Sequence, residues 1–271
     1  MPRRDTKELA RRIRVHVLRM THSARASHVG SCFSAADVLA VLYGRVLQVD
    51  PFNPEKADRD RMVFSKGHAA AALYAVLAES GFFPVNRLQG FGLDGDALAG
   101  HVTNHGVPGV EVSTGSLGHG VALGCGMALA LRALKPPPRA FVLASDGELD
   151  EGSTWESILF AGHHDLGNLC LIVDFNKIQS FGRVSEVLEI EPLADKFRSF
   201  GWTAEELDGH DHRELERALT FDAEVQPPRA IIAHTVKGKG VAFMEDRLEW
   251  HYRSPSDDEL LEALRELGEG G

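Results

Sequence analysis

Apolar residues recur along this chain in two rhythms. Short, almost wholly apolar runs at Arg61–Ser65, Ala140–Ala144, Leu169–Val173 and Arg229–His234 have the length of buried β-strands, and Gly201–Leu207 is a further candidate. Between them lie stretches with helical spacing. Thr6–Ser27 carries Leu9, Ile13, Val17 and Met20 on one face. A second helix begins at Ser34, a fitting N-cap, and an alanine-rich one follows His68 to Glu79. Others are predicted from the Gly115 region to Leu134, over Ser153–Leu166 with Trp155, Ile158, Leu159 and Gly162 on one side, and over Pro192–Phe200, Asp211–Leu219 and Ser256–Leu267.

The punctuation is equally regular. Ser27–Ser31, Asp50–Pro54, Phe181–Ser185 and Thr235–Gly240 read as turns or loops, Phe82–Gly100 as irregular, and Lys135–Pro138 as a helix stop. Strands alternating with helices predict a doubly wound, mainly parallel α/β sheet with helices on both faces. No linker or repeat divides it, so residues 1–271 are expected to form a single domain.

One crossover organises the rest. Strand Ala140–Ala144, helix Ser153–Leu166 and strand Leu169–Val173 form a unit that joins parallel strands. Its two strands then end on the same sheet edge, where open α/β sheets bind ligands. Asp146 and Asn176, about thirty residues apart, should emerge there side by side. With a nearby backbone carbonyl they make an oxygen-donor set suited to Mg²⁺ or Ca²⁺, with room left for diphosphate oxygens and water.

Composition narrows the picture. A 44% hydrophobic content is ample for a core, and a net charge of −10 argues against non-specific nucleic-acid binding. No apolar run is expected to reach the roughly eighteen residues of a membrane span, and the N-terminus lacks the apolar block of a secretory signal. Cys32, Cys125 and Cys170 show no paired spacing, which fits a reduced, cytoplasmic protein. Most lone histidines sit on the surface or in satisfied core positions. That reading is kept for His16, His22, His119, His163, His164, His210 and His212, with His16 and His22 solvated, and left open for His105 and His234.

The segment Ser145–Gly152 with Asp174–Ile178 resembles the thiamine-diphosphate signature, and four further segments narrow the resemblance to transketolase. These are Ser65–Ala70, Thr114–Gly118, Lys237–Gly240 and Trp250–His251, all in the family's order. The resemblance runs from His28 to His251 and stops where a complete transketolase continues into a pyrimidine-binding and a C-terminal domain. It implies the N-terminal subunit of a split transketolase, inactive alone, that works with a C-terminal partner in an α2β2 heterotetramer. An exposed apolar interface including the Gly115–Leu134 helix is expected.

The same resemblance implies roles. Asp146, Asn176 and the Ile178 carbonyl would ligate Mg²⁺; Gly147 would approach the diphosphate, and Gly115, Ser116 and Leu117 would touch the cofactor through backbone. His68, Lys237 and His251 would face the diphosphate and thiazolium. His28, Ser31 and His101 would line the channel for a sugar or sugar phosphate, and Glu151 would approach the partner's activating glutamate. Ser145 replaces the usual first glycine, Val29 a common proline, and Arg253 a frequent lysine, which puts substrate identity in question. Two alternatives stand beside this reading: the α subunit of a 2-oxo acid decarboxylating enzyme, and a non-catalytic transketolase-like regulator.

Overall fold

The computed structural model describes residues 3–224 and 227–269. The single-domain reading extends beyond them at both ends and at 225–226. Five strands form one sheet: β1 (Arg61–Phe64), β2 (Ala140–Ser145), β3 (Leu169–Phe175), β4 (Thr203–Asp208) and β5 (Arg229–His234). Their order is β1-β2-β3-β5-β4, and every pairing is parallel. Because side chains alternate across a strand, the sheet feeds two cores. Phe141, Leu143, Cys170, Ile172 and Ile231 point into one, and Val142, Ala144, Leu171, Val173 and Ile232 into the other.

Helices cover both faces. On the first lie α1 (Thr6–Ser23), α2 (Val29–Val41), α3 (Ala70–Glu79) and α8 (His212–Leu219); on the second, α4 (Gly120–Leu131), α5 (Gly152–His163) and α7 (Leu193–Ser199). Asp5 caps α1 and Asp211 caps α8, each accepting from two backbone N–H groups of the first turn. Ser256 and Glu259 cap each other's backbone at α9 (Asp257–Glu266). Gly124 lets α4 sit on β2, since a Cβ there would lie 2.3 Å from Val142 Cγ2.

Several expectations are corrected. Ser34 is not an N-cap: α2 starts at Val29, directly after His28, and α1 stops at Ser23. The reason is local, since His28 adopts a left-handed backbone that turns the chain straight into the helix. The helical stretch Val29–Val46, which ends in a π-turn, is apolar over eighteen residues, longer than the runs expected. It is 94% buried inside the fold, which makes it a core helix. In α5, Ile158 is buried but Leu159 is 54% exposed, because adjacent helical residues lie about 100° apart. Part of the Phe181–Ser185 loop is the first turn of α6 (Val184–Val187). His16 is not solvated: its Nε2 lies 2.6 Å from the buried Glu79 carboxylate, and His22 is half-buried against Asp257.

Candidate functional site

Four strands, β1, β2, β3 and β5, end on one edge, and the loops that leave them meet α2's N-terminus around a cavity of about 390 Å³. The β1 loop brings Ser65, Lys66 and His68. Gly67 is needed in it, because a Cβ there would stand 2.4 Å from the Thr114 backbone. The β2 and β3 loops bring Asp146 and Asn176, since Ser145 and Asp174 are register partners. The β5 loop brings Lys237, and Gly238 N–H donates to Gly30 O, clamping that loop to α2.

The four motif histidines converge. The His28 ring centroid lies 5.3 Å from that of His68, 5.8 Å from His101 and 4.9 Å from His251, with His68 and His251 5.9 Å apart. His28 N–H donates to His251 O (3.0 Å), so its left-handed φ of 73° is held by the opposite wall. Burial, then His101 and the Lys237 and Lys66 ammonium groups, push His28 down to about 4. Burial, Lys237 and His28 push His251 down to about 3, and burial with Lys66 holds His68 well below its usual value. These three imidazoles are neutral at pH 7, each with one donor and one acceptor nitrogen. For His251 the tautomer follows from its partner: Lys237 Nζ donates to Nδ1 (2.8 Å), leaving the proton on Nε2.

Opposite the histidines, Asp146 Oδ2 accepts from Lys177 N (2.8 Å) and Oδ1 from Gly147 N (2.8 Å). Burial and then the Asp174 carboxylate push Asp146 up to about 6. Asn176 Oδ1 accepts from Ile178 N (3.1 Å), and Ile178 O accepts from Lys237 Nζ (2.8 Å). Burial lowers Lys237 to about 8 against the opposing pull of Asp146.

Of the residues singled out from sequence, His28, Ser31, His68, Gly115, Leu117, Asp146, Gly147, Glu151, Asn176, Ile178, Lys237 and His251 line the cavity. Ser116 and His101 do not. Both are exposed, and the His101 ring lies 3.0 Å from the Cβ position of Gly115. Glu151 is exposed on the rim, at the start of α5. His210 and His212 are satisfied by Asp37, and His234 by Glu206, while His105 is exposed.

Several site residues were missed. Lys66 and Asp174 form a fully buried ion pair beneath the floor. Burial alone would raise Asp174, but Lys66 and the hydroxyls of Ser34 and Thr235 outweigh it and hold the carboxyl below its ordinary value. An acid ending an apolar strand demands such a partner, and that signal was legible. Glu148, wholly buried, accepts from Ser65 Oγ and from Gly118 N (3.1 Å), and burial pushes it up to about 7. Phe181, 84% exposed at the tip of a turn closed by Gln179 N–H to Gly182 O (2.8 Å), gave no sequence signal.

Among the described residues no three His, Cys, Asp or Glu side chains converge as a metal site. A cation here would have one carboxylate, one amide oxygen and one backbone carbonyl from the chain, with the remainder from its ligand and water. That all-oxygen set fits a hard divalent ion. It also fits the position of Asp146, a buried carboxylate at the cavity floor.

Comparison with known proteins places the chain closely. The family model for the transketolase thiamine diphosphate binding domain matches residues 5–270. One of the named subunits of the apulose-4-phosphate transketolase from Phocaeicola vulgatus is 38% identical over 257 residues, covering 94% of this chain and 91% of that one. The 6-deoxy-6-sulfo-D-fructose transketolase subunit SqwG of a Clostridium species is 38% identical, covering 98% of each. The crystal structure of transketolase from Campylobacter jejuni superposes with a TM-score of 0.91 at 31% identity, over 98% of this chain but 43% of that one. The chain thus spans the length of the subunit relatives and about two fifths of the complete enzyme.

Proposed function

We propose, from the premise that this chain belongs to the transketolase family as its thiamine-diphosphate-binding domain, that it is the N-terminal subunit of a two-component transketolase. It passes a two-carbon ketol unit from a ketose, free or phosphorylated, to an aldose acceptor, and does so only with a C-terminal partner that brings the pyrimidine-binding domain. The observation that carries this is the convergence of His28, His68 and His251 with Asp146, Asn176 and Lys237 on one cavity, from separate segments of the chain.

Asp146 Oδ, Asn176 Oδ1 and the Ile178 carbonyl would hold Mg²⁺, with Ca²⁺ able to substitute. The backbone at Gly115, Leu117 and Gly147 would border the diphosphate, and the Lys237 ammonium would offset its charge. Thiamine diphosphate, when bound, supplies the carbanion chemistry. The chain's own part is to place protons. Neutral His28 and His251 can each donate to a substrate oxygen from one ring nitrogen and accept at the other, help worth roughly 10²–10⁴ in rate. His28, Ser31 and His101 would contact substrate hydroxyls, the His101 ring lying 5.8 Å from that of His28. Glu151, on the rim, would meet the partner.

A partner is supported by apolar surface. Leu123 and Leu129 of α4 and Leu159 and Phe160 of α5 are 40–54% exposed on the same side of the sheet. An α2β2 heterotetramer would bury them. Three buried, unpaired cysteines support a reducing, cytoplasmic setting.

The test is reconstitution. The chain mixed with a C-terminal transketolase subunit, Mg²⁺ and thiamine diphosphate should transfer a ketol unit from hydroxypyruvate or a ketose phosphate to an aldose, and neither component should do so by itself. Absence of cofactor-dependent transfer with folded, associated partners would sink the reading.

A further inference from the structure

Ser34 lies inside α2, far from any helix end, and its side chain is wholly buried at the foot of the site. Its Oγ is 2.6 Å from Asp174 Oδ2, 3.1 Å from Ser31 O, 3.4 Å from Lys66 Nζ and 3.4 Å from Asn176 Nδ2. A hydroxyl has a single proton to give. The shortest contact is to the Asp174 carboxylate, which is also paired with Lys66 and accepts from Thr235 Oγ. With its proton committed there, the Ser34 oxygen presents lone pairs to Lys66 and to the Asn176 amide.

The two ends of an asparagine amide are almost equal in shape and differ in what they bond. Asn176 meets an acceptor, Ser34 Oγ, on the side of the protein interior, and a donor, Ile178 N–H at 3.1 Å, on the side of its oxygen. Resting on the cation site proposed above, we infer that Ser34 is the positioning residue for that site. Its hydroxyl oxygen holds the Asn176 NH₂ inward, so that Oδ1 is the end offered beside Asp146 and the Ile178 carbonyl. The Lys66–Asp174 pair acts one step further back, by fixing which way the Ser34 proton points. Partners of this kind, behind metal ligands, typically contribute 10–100-fold in affinity when removed.

The experiment is titration calorimetry of Mg²⁺, and of Mn²⁺ as a second probe, into the reconstituted complex with saturating thiamine diphosphate. Ser34→Ala should weaken cation binding about 10–100-fold, while kcat at saturating cation stays within a few fold of wild type. In an Asn176→Asp background, where no NH₂ group remains to be held, Ser34→Ala should cost at most about 2-fold, since the interaction it removes is gone. Equal losses in both backgrounds would mean a purely structural role and would overturn the assignment. Ser34→Cys, similar in size but a poor acceptor, repeats the measurement should alanine disturb folding. Unchanged affinity in that variant also overturns it. If the wild-type complex binds thiamine diphosphate with no cation dependence, the cation site itself falls and Ser34's role with it. If wild type binds normally and Ser34→Ala matches it, only the role of Ser34 falls.

Discussion

Helices α2 and α4 read much alike, both mainly apolar and rich in small residues, with Ser31, Ser34 and Asp37 as the polar exceptions in α2, yet they live in opposite surroundings. Every residue of α2 from Val29 to Val41 is buried, between α1, α3, α8 and the sheet. In α4 only Gly120, Val121, Gly124, Cys125, Ala128 and Leu131 are buried, while Ala122, Leu123, Gly126, Leu129 and Ala130 face outward. A helix apolar all round has to be covered all round. α2 finds its cover within the chain; on the proposed reading, α4 finds half of its cover on another.

That contrast can be broken at either helix. The largest effect should come from Phe33→Ala in α2, which leaves a cavity in a fully buried position and should cost about 3–5 kcal/mol, read by denaturant unfolding of the free chain. Leu123→Asp with Leu129→Asp in α4 should lower association with the partner at least about 100-fold, since charges would be left in an apolar contact. The same pair should change the free chain's stability by no more than about 0.5 kcal/mol, as surface substitutions do. Equal destabilisation of the free chain by the two sets would end the distinction.

The start of α2 adds a pH signature that α4 lacks. His28 and His251 have folded values near 4 and 3, below the unfolded value near 6.5. The unfolded chain therefore binds more protons between those limits, and stability rises with pH there. It should be fully present above about pH 6.5 and fall by several kcal/mol, about 3 from each of the two histidines, on acidification toward pH 4. Urea titrations across that range, with His28→Asn flattening the slope and the α4 variants leaving it unchanged, measure this. The smallest effect lies at Gly126, where an added Cβ meets nothing within 4 Å. Gly126→Ala should stabilise the free chain by about 0.5–1 kcal/mol through helix propensity, seen as a small rise in Tm.

The sheet was legible because its strands are short apolar runs separated by helical periods, and parallel crossovers follow from that alternation. The convergence of Asp146 with Asn176 was legible for the same reason, since neighbouring parallel strands must end together. Helix starts were less so. Nothing in Ser27–Ser34 announces that His28 takes a left-handed backbone, so the serine that looked like a cap lies within the helix. The Lys66–Asp174 pair joins residues more than a hundred positions apart, and only the β1-β2-β3 order brings them together. Local periodicity carries no information about strand order. The exposure of Leu159 and Phe181 depends on packing that residue type alone does not set.

The Asp174 carboxylate gathers Ser34, Lys66 and Thr235, groups supplied by α2, by the segment after β1 and by the segment after β5. A ribosome delivers these in sequence order, so the last hydroxyl arrives only once residue 235 of the 271 has been made. β3, which carries Asp174, likewise waits for β5, its neighbour on the far side. Without β5, β3 would be an open edge of the sheet and Asp174 would lack the Thr235 hydroxyl. The floor of the site thus depends on chain made late as well as early, and a chain cut short before β5 would lack both the strand beside Asp174 and one of its three side-chain partners.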